Sequence, residues 1–293
     1  MAVLGSGNSN GGCSLLHAAG IGYGASLALD LPVKVRLLDK ESKRALDDPD
    51  GLLEQVLTAW KNAGHSVPDG ELYWSVRSDI PPRQGLKSSS AVAVAAIKAL
   101  CDATDIELEN ADIVDIAAAA QLSAGVSITG SYDDSWAALE GGWKLVNANA
   151  EDARSGLLLE SPGPPSDDWA VILVCRGDRE KRPELEDFTL HQQAFVQALN
   201  ALQEGNDLVA LTWNGRGVIG ALNDPVGRRL TNDAFVNGGR AAGISGSGPA
   251  IVIFASAVSR PTIERIKQWY SKNDSMEVIE TKVINADFGS MDE

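Results

Sequence analysis

The segment Val33-Lys34-Val35-Arg36-Leu37 alternates apolar and polar side chains, the period of a strand with one face in a core, and it follows an apolar run over 25–31. Upstream, 2–4 reads as a short apolar strand, 5–12 as a loop dense in Gly, Ser and Asn, and 17–24 as a helix or strand transition. Over 51–62 the period changes, and Leu52, Leu53, Val56, Leu57 and Trp60 share one helical face. A strand over 72–76, an alanine-rich helix over 92–100 and a helix over 112–122 with Ile113, Ile116 and Ala120 inward come next. Gly141-Gly142 then turns the chain into a strand over 143–146.

Between 147 and 168 prolines, acids and glycine show little periodicity, which predicts a boundary between domains at 1–150 and 168–293. The second half opens with the apolar strand 169–175. Helices follow over 188–204, with Phe195, Leu199 and Leu202 on the apolar side, and within 207–223. The stretch 231–239 leads to a glycine loop, a strand over 251–255, a helix from Pro261 to Tyr270 and a last strand over 276–284. No internal repeat is visible, and this order of strands and helices predicts an α+β fold built in two layers.

With 293 residues, 44% of them hydrophobic, the chain is long enough for a substantial core. A formal net charge of −15 argues against nucleic acid as a partner, since phosphate backbones call for a basic face. No apolar run approaches the ~20 residues that span a bilayer, so no membrane partner is expected. The N-terminus lacks a basic stretch followed by an apolar core, which predicts a cytoplasmic protein. Cys13, Cys101 and Cys175 show no CxxC spacing, and His17, His65 and His191 form no HExxH grouping, so a transition-metal centre is not expected.

Three segments carry candidate chemistry. Pro81-Pro82-Arg83-Gln84-Gly85-Leu86-Lys87-Ser88-Ser89-Ser90-Ala91 describes a tight loop feeding the first turn of a buried helix. That turn leaves backbone N–H groups without intrahelical partners and carries the positive end of the helix dipole, so it suits an anion. Gly85 permits close backbone approach, and the serines can cap the helix, donate to phosphate or ligate a metal that bridges phosphates; a serine-capped helix after a proline turn is the plainer alternative. It is not the Walker loop, because Leu86 and Pro81 stand where that pattern needs glycine. Gly243-Ile244-Ser245-Gly246-Ser247-Gly248-Pro249-Ala250 is either a ligand-wrapping loop or an ordinary turn before a strand. Thr129-Gly130-Ser131-Tyr132-Asp133-Asp134 offers a carboxylate for proton transfer, or an aspartate pair capping a helix that begins near Ser135.

The first segment, Pro-x-x-x-Gly-Leu-x-Ser-Ser-x-Ala, resembles the second signature of the GHMP kinases, which include galactokinase, homoserine kinase and mevalonate kinase. Gly-Leu-Lys-Ser-Ser-Ser-Ala and Thr-Gly-x-x-Asp-Asp look most like the archaeal type of shikimate kinase, and the glycine loop resembles the third signature. The resemblance reaches Ala18-Ala19-Gly20-Ile21-Gly22-Tyr23-Gly24-Ala25, similar to the family's glycine-rich entry to its second strand. It implies an S5-like N-terminal domain, a ferredoxin-like C-terminal domain, and magnesium-ATP-dependent phosphorylation of the shikimate 3-hydroxyl, a step towards chorismate. ATP would lie over Pro82, Arg83, Gly85, Leu86, Lys87, Ser88, Ser89, Ser90 and Ala91, with Gly246, Ser247 and Gly248 near the nucleotide. Ser89 maps to the magnesium-contacting hydroxyl and Asp133 to the catalytic acid, with Thr129 and Gly130 beside the acceptor. Lys87 would neutralise phosphate or lie solvated. An arginine suits the acceptor carboxylate: Arg179 is the first candidate, with Arg83, Arg176 and Arg182 as others.

Some positions depart from the family. Residues 5–12 lack the basic residue that mevalonate kinases and galactokinases place in the first loop, Gln121-Leu122-Ser123-Ala124 lacks the acid several members use as a magnesium ligand, and Gly7-Asn8-Ser9-Asn10 replaces Gly-x-Thr-Ile-Asn. Another small-molecule kinase, such as a homoserine kinase, and a non-catalytic metabolite-binding protein of the same fold are therefore the alternatives.

Overall fold

The computed structural model describes residues 2–43, 45–177 and 183–287. In chain order the first half holds β1 (Val3–Leu16), α1 (Ala18–Ile21), β2 (Tyr23–Leu38), α2 (Leu52–Asn62), β3 (Tyr73–Ser78), α3 (Ser88–Thr104), α4 (Asn110–Ser123), α5 (Asp133–Leu139), β4 (Trp143–Asn147), α6 (Ala153–Gly156) and β5 (Leu157–Ser161). The strands form a five-stranded sheet in the order β1-β2-β4-β5, with β3 also paired to β2. All of these pairings are antiparallel.

The expected loop over 5–12 is instead the middle of β1, which pairs with β2 with Gly7 opposite Val35 and Ser14 opposite Ser26, the register shifting between Asn10 and Gly12. Its glycines are there for space. A Cβ on Gly5 would overlap the carbonyl oxygen of Ala99, and one on Gly7 that of Ala95, so α3 lies directly on the strand's backbone. The alanine-rich sequence of α3 serves the same end, since Ala91, Ala95, Ala96 and Ala99 are fully buried in the closely packed layer. The region expected to be irregular between 147 and 168 contains α6 and β5, which extends the first sheet to Ser161. β5 is an edge strand with little burial, so it has no apolar alternation to reveal it.

The second half contains β6 (Trp169–Cys175), α7 (Leu185–Thr189), α8 (Gln192–Gln203), α9 (Asp207–Ala221), α10 (Pro225–Val236), β7 (Ala241–Ile244), β8 (Ile251–Ser256), α11 (Arg260–Tyr270) and β9 (Glu277–Thr281). Its four-stranded antiparallel sheet has the order β7-β8-β6-β9. The helix expected over 188–204 is two helices, separated at His191, whose backbone (φ −117°, ψ 22°) leaves the helical region. β7 is four small or apolar residues, all buried, and too short to display a period.

The halves are sewn together by main chain. Gly142 N–H donates to Ile284 O at 2.7 Å, and Ile284 N–H donates to Ala28 O at 3.1 Å. Side chains from both sheets join one hydrophobic core.

The Gly7–α3 contact predicts that Gly7→Ala lowers stability by about 1–3 kcal/mol through overpacking. Urea denaturation should show the midpoint falling with an unchanged slope.

Candidate active site

β3 hands the chain to the phosphate loop, which is fixed before α3 begins. Gly85 adopts φ +78°, and a Cβ there would overlap the Ser245 carbonyl oxygen and stand 3.0 Å from the Gly248 nitrogen. Ser245 Oγ donates to Gly85 O at 2.7 Å and accepts from Ser14 N–H at 3.2 Å. Ala250 N–H donates to Gln84 O, and Gly12 N–H donates to Leu86 O. The buried Gln84 amide bonds the end of β6, donating to Gly177 O and accepting from Arg176 N–H. The phosphate loop and the glycine loop are therefore one structure, clamped between β1 and the second sheet.

Ser88, Ser89 and Ser90 form the first turn of α3, where N–H groups lack intrahelical partners, and this turn borders a cavity of about 910 Å³. Pro82, Arg83, Gly85, Leu86, Lys87, Gly246 and Ser247 line the same cavity, as do Thr129 and Asp133. Ala91 does not: it is fully buried, and its carbonyl accepts from Ser9 Oγ. Gly248 and Gly130 are not part of the lining; each supplies a positive-φ bend, at +71° and +65°. The Ser90 hydroxyl is committed to Gln121 Oε1 at 2.7 Å, and Gln121 Nε2 donates to Ser135 Oγ and Ala117 O. Among the expected phosphate hydroxyls, Ser88 and Ser89 remain directed to the cavity wall without such a bond.

α5 begins at Asp133, two residues before the expected start, so both aspartates sit in its first turn. Asp133 is buried. Ser26 Oγ donates to its Oδ2 at 2.6 Å and Ser131 Oγ to its Oδ1 at 2.5 Å. A Cβ on Gly24 would overlap Oδ1, so that glycine makes room for the carboxyl. Burial, reinforced by the neighbouring Asp134 charge and opposed by Lys87, pushes the Asp133 carboxyl up to about 7. Burial also disfavours charge on Asp134, but the Lys87 ammonium at 2.6 Å and the Ser26 hydroxyl at 2.8 Å hold it below the usual carboxylate range.

Lys87 is not solvated. It enters α3 with left-handed backbone (φ +65°), and its ammonium turns inward to Asp134 Oδ1 and Ser14 Oγ, each at 2.6 Å. Arg176, a candidate for the acceptor carboxylate, is instead spent inside the fold: its guanidinium grips both Asp224 oxygens and donates to Pro249 O. Arg179 and Arg182 lie outside the described residues. Ser14, Ser26 and Ser131 were not anticipated as site residues. Their signal in the sequence is weak, a hydroxyl among apolar neighbours in Cys13-Ser14-Leu15-Leu16 and in Ala25-Ser26-Leu27-Ala28.

A family model for the N-terminal domain of GHMP kinases matches residues 52–142. The shikimate kinase of Methanococcoides burtonii is 30% identical over 213 residues, covering 71% of this chain and 69% of that protein. The chain belongs to the GHMP kinase family. The shikimate kinase of Methanobrevibacter smithii is 27% identical over 288 residues, covering 94% of this GHMP kinase and 96% of the relative. Among solved structures, the Methanococcus jannaschii mevalonate kinase superposes with a TM-score of 0.74 at 14% identity, covering 96% of this chain and 98% of the other. A putative homoserine kinase from Listeria monocytogenes gives 0.65 at 18% identity, with 96% of each chain covered.

Two outcomes follow from this geometry. Gly85→Ala, strained at positive φ and blocked by Ser245, should weaken ATP binding at least tenfold in calorimetric titration and lower the melting temperature. Because the folded-state acid is weaker than the unfolded one at 3.8, native protein holds the Asp133 proton longer, and its burial costs stability increasingly as pH rises from about 4 through about 7. Asp133→Asn should therefore be more stable than the parent at pH 8, on the order of 1–3 kcal/mol, and lose that advantage near pH 4 in urea melts.

Proposed function

We propose that this GHMP kinase transfers the γ-phosphoryl of ATP to the 3-hydroxyl of shikimate in the cytoplasm, on the route to chorismate. One observation supports this reading above the others: a helix N-terminus built for phosphate and a buried carboxyl poised near neutrality line the same cavity. The archaeal shikimate kinases that match along most of the chain point to the acceptor. The expected domains 1–150 and 168–293 would be the phosphate-loop domain, with β5 added to its sheet as far as Ser161, and the ferredoxin-like domain, with the acceptor between them.

Phosphoryl transfer spreads negative charge over the moving oxygens, so the chain's contribution is positioning and charge stabilisation. The N–H groups of the first turn of α3 and the Ser88 and Ser89 hydroxyls would hold the phosphates. Asp133 would accept the proton of the attacking hydroxyl as the new oxygen–phosphorus bond forms and ADP leaves with the electrons of the broken one. Arg83 and Thr129, which line the cavity, are the side chains offered to the acceptor, Arg83 to its carboxylate; Arg179, the first candidate for that carboxylate, lies outside the described residues.

The described residues contain no cluster of three metal-ligating side chains. A magnesium ion would keep several waters and bind largely through substrate phosphates. Ser89, which lines the cavity, would supply a hydroxyl to it. Gln121, with its amide already bonded to Ser90, Ser135 and Ala117, adds no negative charge. When bound, the ion neutralises phosphate charge.

The decisive measurement is ADP release with magnesium-ATP and shikimate, homoserine, mevalonate or galactose as acceptor. Shikimate-dependent turnover is expected, falling about 10²–10⁴-fold in Asp133→Ala with ATP binding retained. Ser89→Ala should raise the magnesium-ATP requirement far more than the KM for shikimate. Turnover on another acceptor alone, or on none, would falsify the assignment.

A further inference from the structure

Lys87 is the one cation within reach of the buried Asp133 and the half-buried Asp134, among the described residues, and its side chain is built in rather than dangling. Its backbone takes a conformation that side chains rarely adopt, and its stem passes over Gly12, where an added Cβ would stand 3.6 Å from Lys87 Cγ. Ser14 Oγ on β1 and Asp134 Oδ1 on α5 then fix the ammonium from two sides. The side chain is only 7% exposed. Held this way, the ammonium of the ligand-free protein is committed to the aspartate pair and to β1.

The carboxylates need management. Asp133 and Asp134 share one hydroxyl, Ser26 Oγ, at 2.6 and 2.8 Å. Two like charges that close, out of water, do not both ionise easily. Charge reaches Asp133 from Asp134 and Lys87. Around them, the Cys13 thiol on β1 is pushed by burial to about 12 and stays neutral, Gln121 on α4 is an amide, Lys144 on β4 is engaged by Glu140, and Asp115 on α4 caps Ala153 N–H.

We propose that Lys87 is a positioning residue that acts through Asp134: by pinning that carboxylate as an ion pair anchored on Ser14, it leaves Asp133 as the single carboxyl of the pair that exchanges a proton with the acceptor. This rests on the kinase reading for its catalytic meaning, but the electrostatic arrangement belongs to the ligand-free protein. The proton leaves the acceptor hydroxyl for Asp133 Oδ as the phosphoryl is captured and ADP departs, and Lys87 keeps its own protons throughout.

Carbon-13 NMR titration of aspartate side chains in the ligand-free protein tests it, for the parent, Lys87→Met, Asp134→Asn and the double variant. Removing the cation should move the Asp133 midpoint upward by about one unit or more, removing the anion should move it downward, and removing both should bring it back towards the parent. Opposite signs are the signature, since a merely structural loss would not reverse between the two. In turnover, the acidic limb of kcat/KM should follow the same directions, Lys87→Arg should restore most of the parent profile, and calorimetric magnesium-ATP affinity should change less than about threefold in Lys87→Met.

An unmoved Asp133 midpoint in Lys87→Met, shifts of the same sign in both single variants, or a tenfold loss of magnesium-ATP affinity with the midpoint in place would each overturn the proposal. If Lys87→Met fails to fold, Asp134→Asn and Lys87→Arg decide it by the same titration. Because the titration needs neither nucleotide nor acceptor, its failure is separable from a failure of the kinase assignment.

Discussion

The close seating of Gly85 on Ser245 and Gly248 is the contact from which the rest of the site takes its position. It joins a loop leading from the first sheet to a loop leading into the second, with the Ser245 hydroxyl bonded to the Gly85 carbonyl across the contact. The N-terminus of α3 can then stand at the edge of the cavity with its serines at a defined depth. A Cβ at this point would separate the two loops, and with them the helix dipole from whatever anion it faces. The same economy of side chains recurs where Gly5 and Gly7 let α3 lie against β1 and where Gly24 leaves space for the Asp133 carboxyl.

Behind this backbone frame sits an electrostatic one. Three ionisable groups are gathered here, Lys87 and Asp133 with little access to water and Asp134 half-buried beside them, an arrangement that is costly unless charges are paired and hydrogen-bonded. The single Ser26 hydroxyl lies within bonding distance of both carboxyls, Ser131 donates to Asp133, and the Lys87 ammonium donates to both Asp134 and Ser14. Similar carboxyls acquire different characters because one has a cation beside it and the other has mainly burial. That asymmetry follows from which strand each serine occupies and from the inward turn of a single lysine.

The departures from the family noted in the sequence find physical counterparts. β1 lacks a basic residue over 5–12, yet a lysine from the phosphate loop is bonded to Ser14 at its far end. The position lacking an acid, Gln121, is buried and holds Ser90 and Ser135 through its amide. A neutral side chain suits that place, since a carboxylate could not donate to Ser135 and Ala117.

Periodicity and local chemistry were enough to read α2, α4, α11 and β6, because an amphipathic helix or a buried strand writes its environment into consecutive residues. The start of α3 at its three serines was legible in the same way, from a proline and glycine turn running into small residues. The sequence could not show that 5–12 is strand rather than loop, since glycine there answers to a helix some ninety residues away. Nor could it show that Lys87 turns from phosphate to Asp134, that Arg176 is consumed by Asp224, or that Ser14 and Ser26 belong to the site. Those outcomes depend on which groups meet across the packed layers, and such partners are chosen by tertiary distance, which no local pattern records.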